Sequence, residues 1–130
     1  MSLISYICGM ETTSKKDSDI RELYFSEEFL EFYNTLEDRI KTKFEHTMDI
    51  IRTEYILSTK FVKHLDGTDL YEMRVSVSTN EYRTILFAVD DDNIILSKRI
   101  LLLNGFLQKS TKDYSRQIKI AKRILEYFEL

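Results

Sequence analysis

Two arginines, two lysines and a tyrosine in this chain are spaced so that they can gather around one phosphate. Arg74 sits in the middle of an alternating stretch, Tyr71 to Val77, on the face shared with Glu72 and Ser76, and Arg83 opens the next apolar run across a short polar turn. Neighbouring strands would set these two guanidinium groups near each other. Lys109 and Lys112, with Ser110 and Thr111 between them, occupy the segment between the last strand and the last helix, and Tyr114 follows directly. Such a set suits phosphodiester chemistry, because the negative charge that develops on phosphorus demands fixed donors. The arginines suit plain ion pairs as well, for example Arg74 with a carboxylate of the helices that precede it.

Other chemistries find little support. One cysteine, Cys8, and two histidines, His46 and His64, make neither a disulfide framework nor a zinc ligand set. Asp90, Asp91 and Asp92 form an acidic cluster, but a turn between strands is ordinarily polar and its side chains need not converge on a metal. Three glycines, no proline and no GxxxxGK[ST], GxGxxG or nucleophile-elbow pattern leave few means of cradling a nucleotide phosphate in a loop. No cofactor and no metal are expected.

The elements that position these residues follow from periodicity. A short run from Ile20 to Phe25 leads to Ser26, which can cap a helix with Glu27 and Glu28 in its first turn and Phe25 and Leu30 spaced as a hydrophobic staple. Phe29, Phe32, Tyr33 and Leu36 mark its apolar stripe. A second helix from about Glu37 carries Ile40, Phe44, Met48, Ile51 and Tyr55, so the pair reads as a helical hairpin whose aromatics belong to the core. Asp66-Gly67 then turns the chain into three consecutive strands, Tyr71 to Val77, Tyr82 to Val89 and Ile94 to Leu103, an antiparallel meander with the hairpin as its cover. Phe106 to Lys112 reads as a connector, and Tyr114, Ile118, Ala121, Leu125 and Phe128 trace one face of a final helix. The fold class is α+β: an N-terminal helical hairpin on an antiparallel sheet, followed by a basic C-terminal helix.

A length of 130 residues, 43% apolar and 32% charged, fits one core. No apolar run approaches the roughly 20 residues that span a bilayer, so no membrane partner is expected and the reading is cytoplasmic. Residues 1–19 read as a loosely ordered terminus, since MSLISYICGM lacks a basic leader and a clear cleavage site, and the domain is placed at 20–130. Net charge is -3, but it is segregated: from Ile95 onward eight basic residues face three acidic ones, while the preceding residues hold eleven basic and nineteen acidic. A phosphate backbone responds to that local field, which keeps a nucleic-acid partner in view, with Arg74, Arg83, Lys109, Lys112 and Arg116 as its contacts.

Four blocks carry a resemblance. Leu70-Tyr71-Glu72-Met73-Arg74-Val75, Asn80 to Phe87 with its Tyr82-Arg83 pair, Leu103-Asn104-Gly105-Phe106 through Thr111, and the Lys/Arg-rich last helix resemble, in order and spacing, the RelE/HigB-like toxins. The branch most resembled is that of the phage-derived Gp49-like proteins, within the RelE/ParE superfamily, over roughly Leu23 to Phe128. The resemblance implies the toxin of a toxin–antitoxin system: a metal-independent endoribonuclease that cuts messenger RNA on the ribosome and is silenced by a cognate antitoxin protein. It further implies that the ribose 2′-hydroxyl attacks the adjacent phosphorus, with Arg74, Arg83, Lys109 and Tyr114 as the catalytic set. Arg83 would hold the phosphate, Lys109 would come from the connector, and Tyr114 would stack on a base or help transfer a proton.

Two positions depart from the family pattern. Glu72 stands where strongly active relatives often present a basic residue, and Asn104-Gly105-Phe106 replaces the commoner His-Gly-Phe. A carboxylate near the scissile phosphate can act as a base, or, paired with Arg74, cancel part of its charge. Lysine, protonated at neutral pH, serves as a general acid or an electrostatic clamp more readily than as a base, which leaves the base unassigned. The alternative reading is an interaction module of the same fold with little or no catalysis, including a ParE-like gyrase inhibitor.

Overall fold

In the computed structural model, residues 19–128 are described, so the expectation for a loose terminus falls almost entirely outside them. The elements are β1 (Glu22–Phe25), α1 (Glu27–Asn34), α2 (Asp38–Thr53), β2 (Val62–His64), β3 (Leu70–Val77), β4 (Asn80–Ala88), β5 (Arg99–Leu107) and α3 (Thr111–Tyr127). They make the α+β fold that the periodicity predicts. The sheet runs β1-β5-β4-β3-β2, with β2 to β5 antiparallel and β1 added in parallel along the far side of β5. No described helix is long and apolar enough to cross a membrane.

Helices cover both faces of the sheet. Alternation along the strands sends Met73, Val75, Leu86, Ile100 and Leu102 to one side, where they meet Phe29, Phe44, Met48 and Ile51 of the α1–α2 hairpin. It sends Leu70, Ile85, Leu101 and Leu103 to the other, against Ala121, Ile124 and Phe128. The hairpin is therefore half of the cover and α3 is the other half. Phe29 and Phe44 are fully buried, as core aromatics should be, whereas Tyr55 is 60% exposed because α2 ends at Thr53, before it. Ser26 caps α1 by accepting the Phe29 N–H at 3.0 Å, and its hydroxyl also donates to the Leu103 carbonyl, which ties the helix start to β5. Phe25 stacks on Phe29, with centroids 5.5 Å apart.

The third strand of the meander begins later than its apolar residues suggest. Residues 94–97 form a turn, and β5 starts at Arg99 and extends through Leu107, well into the segment expected to be a connector. The cause is Arg21, whose side chain is buried and donates to the carbonyls of Ile94, Ile95, Ile51, Glu54 and Tyr55 at 2.6 to 3.2 Å. Those bonds hold residues 94 and 95 in the turn, facing the end of α2 and away from a ladder with β4. Burial pulls the Arg21 pKa below the usual arginine value. Past Leu102 the β4–β5 register slips by one residue, so Gly105 backs onto Phe32, where a Cβ would lie 2.4 Å from ring carbons.

Candidate functional site

Register alone brings the two arginines together. Arg74 on β3 is paired directly with Arg83 on β4, and both point to the α3 side of the sheet, as does Glu72 two residues earlier. Like charges opposite each other in a ladder repel. Glu72 relieves this: its carboxylate lies 3.3 Å from Arg83 Nε and 3.8 Å from Arg74 Nε. Because β5 continues to Leu107 and Gln108 N–H still bonds Glu81 O at 2.8 Å, only a short link remains before Ser110 caps α3 through the Asp113 N–H at 3.1 Å. That short link sets the first turn of α3 over the arginines. Tyr114 packs edge-on against Phe106 at 5.6 Å and donates its phenol hydrogen to Glu72.

These four groups floor a concavity of about 360 Å³, walled by Lys63 and His64 of β2 and by Gln108 and Ile118. Their exposures differ in a way that matters. The side chains of Arg83 and Glu72 are 7% and 5% exposed, and that of Arg74 is 33%. Arg74 is thus the guanidinium that solvent, or a ligand, reaches first. The Nε atoms of both arginines lack a hydrogen-bond partner among the described residues, and Arg83 Nη1 donates to its neighbour's carbonyl, Tyr82 O, at 3.1 Å. Burial, the hydrogen bond to Glu72 and that carboxylate's charge together push the Tyr114 pKa well above the usual tyrosine value, against the opposing pull of Arg83 and Arg74. Its phenol stays protonated at neutral pH and acts as a donor.

Arg74, Arg83 and Tyr114 are therefore gathered, with Glu72 at their centre. Lys109 and Lys112 are exposed and do not line the concavity, although Lys109 adjoins Gln108, which does. Arg116 is exposed on α3 and pairs with Asp113. Asn104 is buried behind the site, donating from Nδ2 to Gln117 O and Oε1 at 3.2 and 3.0 Å while its Oδ1 has no partner among the described residues. Lys63 and His64 were not foreseen as walls, since a strand of three residues leaves almost no periodic signal. The acidic turn behaves as a turn: Asp90 Oδ1 accepts from Arg99 Nε at 2.8 Å, and Asp91 from the Asn93 N–H at 2.8 Å.

The chain matches the family model described as phage derived protein Gp49-like (DUF891) over residues 31–126. It belongs to this Gp49-like family, a family of RelE-like toxins. Among solved structures it is similar to a double arginine-to-alanine mutant of the E. coli toxin RelE in the free state, at 14% identity and a TM-score of 0.54. That likeness covers 78% of this chain and 96% of the other, and establishes the shared fold. No curated protein matches the chain.

Proposed function

We propose that this protein is the toxin of a toxin–antitoxin pair and that it cuts messenger RNA on the ribosome. The observation that carries the reading is the convergence of Arg74, Arg83, Glu72 and Tyr114 on the floor of one open concavity. In this reading O2′ of the ribose attacks the adjacent phosphorus, the P–O5′ bond breaks, and a cyclic phosphate and a 5′-hydroxyl result. Glu72 serves as the base that takes the 2′-hydroxyl proton, and the Tyr114 phenol holds that carboxylate in place. Arg74 meets the phosphate charge, Arg83 supports Glu72 from beneath, and Lys109, next to the rim, supplies the proton to O5′. Arg83 is then a positioning residue.

One observation favours the alternative. The carboxylate of Glu72 already occupies the two guanidinium groups and the phenol, as it would in an interaction module of the same fold that inhibits gyrase and cuts nothing. Primer extension on messenger RNA after brief induction separates the two. Discrete, ribosome-dependent breaks that vanish in Arg74→Ala support the nuclease. Intact transcripts with arrested replication overturn it in favour of the gyrase class.

A further inference from the structure

The concavity above is one of two that meet at Arg74. The second, of about 380 Å³, opens where β2 stops and β3 runs on. Val62 and Met73 are the last ladder partners there, Phe61 O takes the Arg74 N–H at 2.8 Å, and β3 continues to Val77 paired with β4 on one side but with no described strand on its outer edge. Lys43 and His46 line this opening from α2, Lys60 from the loop before β2, and Arg74 and Ser76 from the strand edge. No carboxylate lines it, in a chain with 22 Asp and Glu against 19 Lys and Arg. Lys43, His46 and Lys60 are exposed, and none of them forms an ion pair among the described residues.

A merely solvated helix face mixes its signs, as α2 does one turn later where Asp49 pairs with Arg52. Here Lys43 of α2, Lys60 of the loop before β2 and Arg74 of β3 line one opening, and among the described residues only Arg74 has a carboxylate beside it, that of Glu72 in the first concavity. Local fields of this kind attract a polyanion whatever the net charge of the molecule. The opening also shares Arg74 with the concavity that holds Glu72 and Tyr114, so one extended strand can pass from one to the other over that guanidinium.

We infer that this second concavity is a subsite for the phosphate backbone of the RNA strand to one side of the cleaved position. The strand runs from Tyr114 across Arg74 and over the free edge of β3 toward Lys43 and Lys60. This rests on the nuclease reading for the identity of the strand, but its test does not depend on cleavage.

Binding of a fluorescent single-stranded RNA oligonucleotide is titrated against salt for the full chain, for Lys43→Ala/Lys60→Ala, for Lys43→Arg/Lys60→Arg and for Lys98→Ala/Lys119→Ala. Each single-strand phosphate contact contributes about 0.7 to the slope of log affinity against log salt, so the first pair should lose about 1.4 and bind more weakly. The arginine pair should keep the slope, and so should the last pair, which removes equal charge elsewhere. Thermal melts on the same proteins confirm that all are folded. An unchanged slope in Lys43→Ala/Lys60→Ala overturns the subsite, as does an equal loss in the Lys98/Lys119 pair, absence of any RNA binding by the full chain, or a defect confined to binding an acidic protein partner. If the full chain fails to cut ribosome-bound messenger RNA while the slope change holds, the nuclease reading falls and the backbone subsite stands.

Discussion

At the scale of single residues the site divides into groups that hold and groups that reach. Arg83 and Glu72 are both buried, so Arg83→Ala takes from the Glu72 carboxylate its nearest and most buried counter-charge, leaving it Arg74 and the Tyr114 phenol, and should cost about 3 kcal/mol. Urea denaturation would show this as a lowered midpoint, and a midpoint within error of the parent would deny Arg83 its supporting role. Arg74→Ala should behave oppositely, because Arg74 is the partly exposed member of a pair that is long, at 3.8 Å, and Glu72 keeps Arg83 and the Tyr114 phenol without it. Stability should change by less than about 1 kcal/mol while cleavage falls about ten- to a hundredfold, the value of a charge-assisted contact. Retained cleavage by folded Arg74→Ala would remove it from the chemistry. Tyr114 adds a pH signature. Its pKa is raised on folding, so its contribution is complete below the unfolded tyrosine value near 10 and is lost as pH climbs above it. Tyr24 acts in the same direction, its pKa pushed up to about 12 chiefly by burial and then by the hydrogen bond to Glu22. Urea midpoints should therefore fall as pH is raised above about 10, and less steeply in Tyr114→Phe; equal slopes in both proteins would contradict the assignment. The adjacency of Arg74 and Arg83 was legible in the sequence because strand alternation and a short turn are local signals. That Glu72 would bind both, and that the lysines of the connector would stay outside, was not legible, because burial depends on where α3 lands.

At the scale of elements, the sequence displays what repeats and conceals what is bridged. The helical stripes and the β3–β4 hairpin follow from spacing, and they stand where spacing puts them except at the helix ends, where Leu36 and Tyr55 lie past the last helical residue. The start of β5 does not, because Arg21 looks like any surface arginine until the chain folds back and its guanidinium gathers carbonyls from the end of α2 and from Ile94 and Ile95. Arg21→Met should fill the volume yet leave those carbonyls unpaired, with a loss of roughly 3 kcal/mol or more. A melting temperature equal to the parent's would show that water serves as well. The slip in β5 makes a second element-scale test. An alanine at position 105 would drive its Cβ into the Phe32 ring, so Gly105→Ala should destabilise by about 1 to 3 kcal/mol, and Phe32→Leu should recover part of that in the double variant. Strict additivity would mean that the ring is not the obstacle. Neither the slip nor the ring behind Gly105 has any signature in residue spacing.

At the scale of the molecule, a sheet clad on both faces gathers its net positive excess from Ile95 onward, with exposed Lys112, Arg116, Lys119, Lys122 and Arg123 along α3. A protein antitoxin that silences this fold should present acidic side chains there, and co-expression with the product of the adjoining gene should yield a complex that loosens as salt is raised. Failure to form a stable complex at low salt would count against the toxin reading. The parallel pairing of β1 with β5 bears on timing as well as shape. Glu22 must wait for Arg99, and Ser26 for the Leu103 carbonyl, before the first strand and first helix are fastened. The β3–β4 hairpin can form early from its own neighbours, with Arg83 and Glu72 already side by side, but Tyr114 arrives only with the last helix. Long-range closures of this kind come late in folding. Until α3 has been made and has docked, the fold cannot close and the phenol cannot reach its carboxylate, so a site built on this topology stays incomplete while the strands that precede α3 are already in hand.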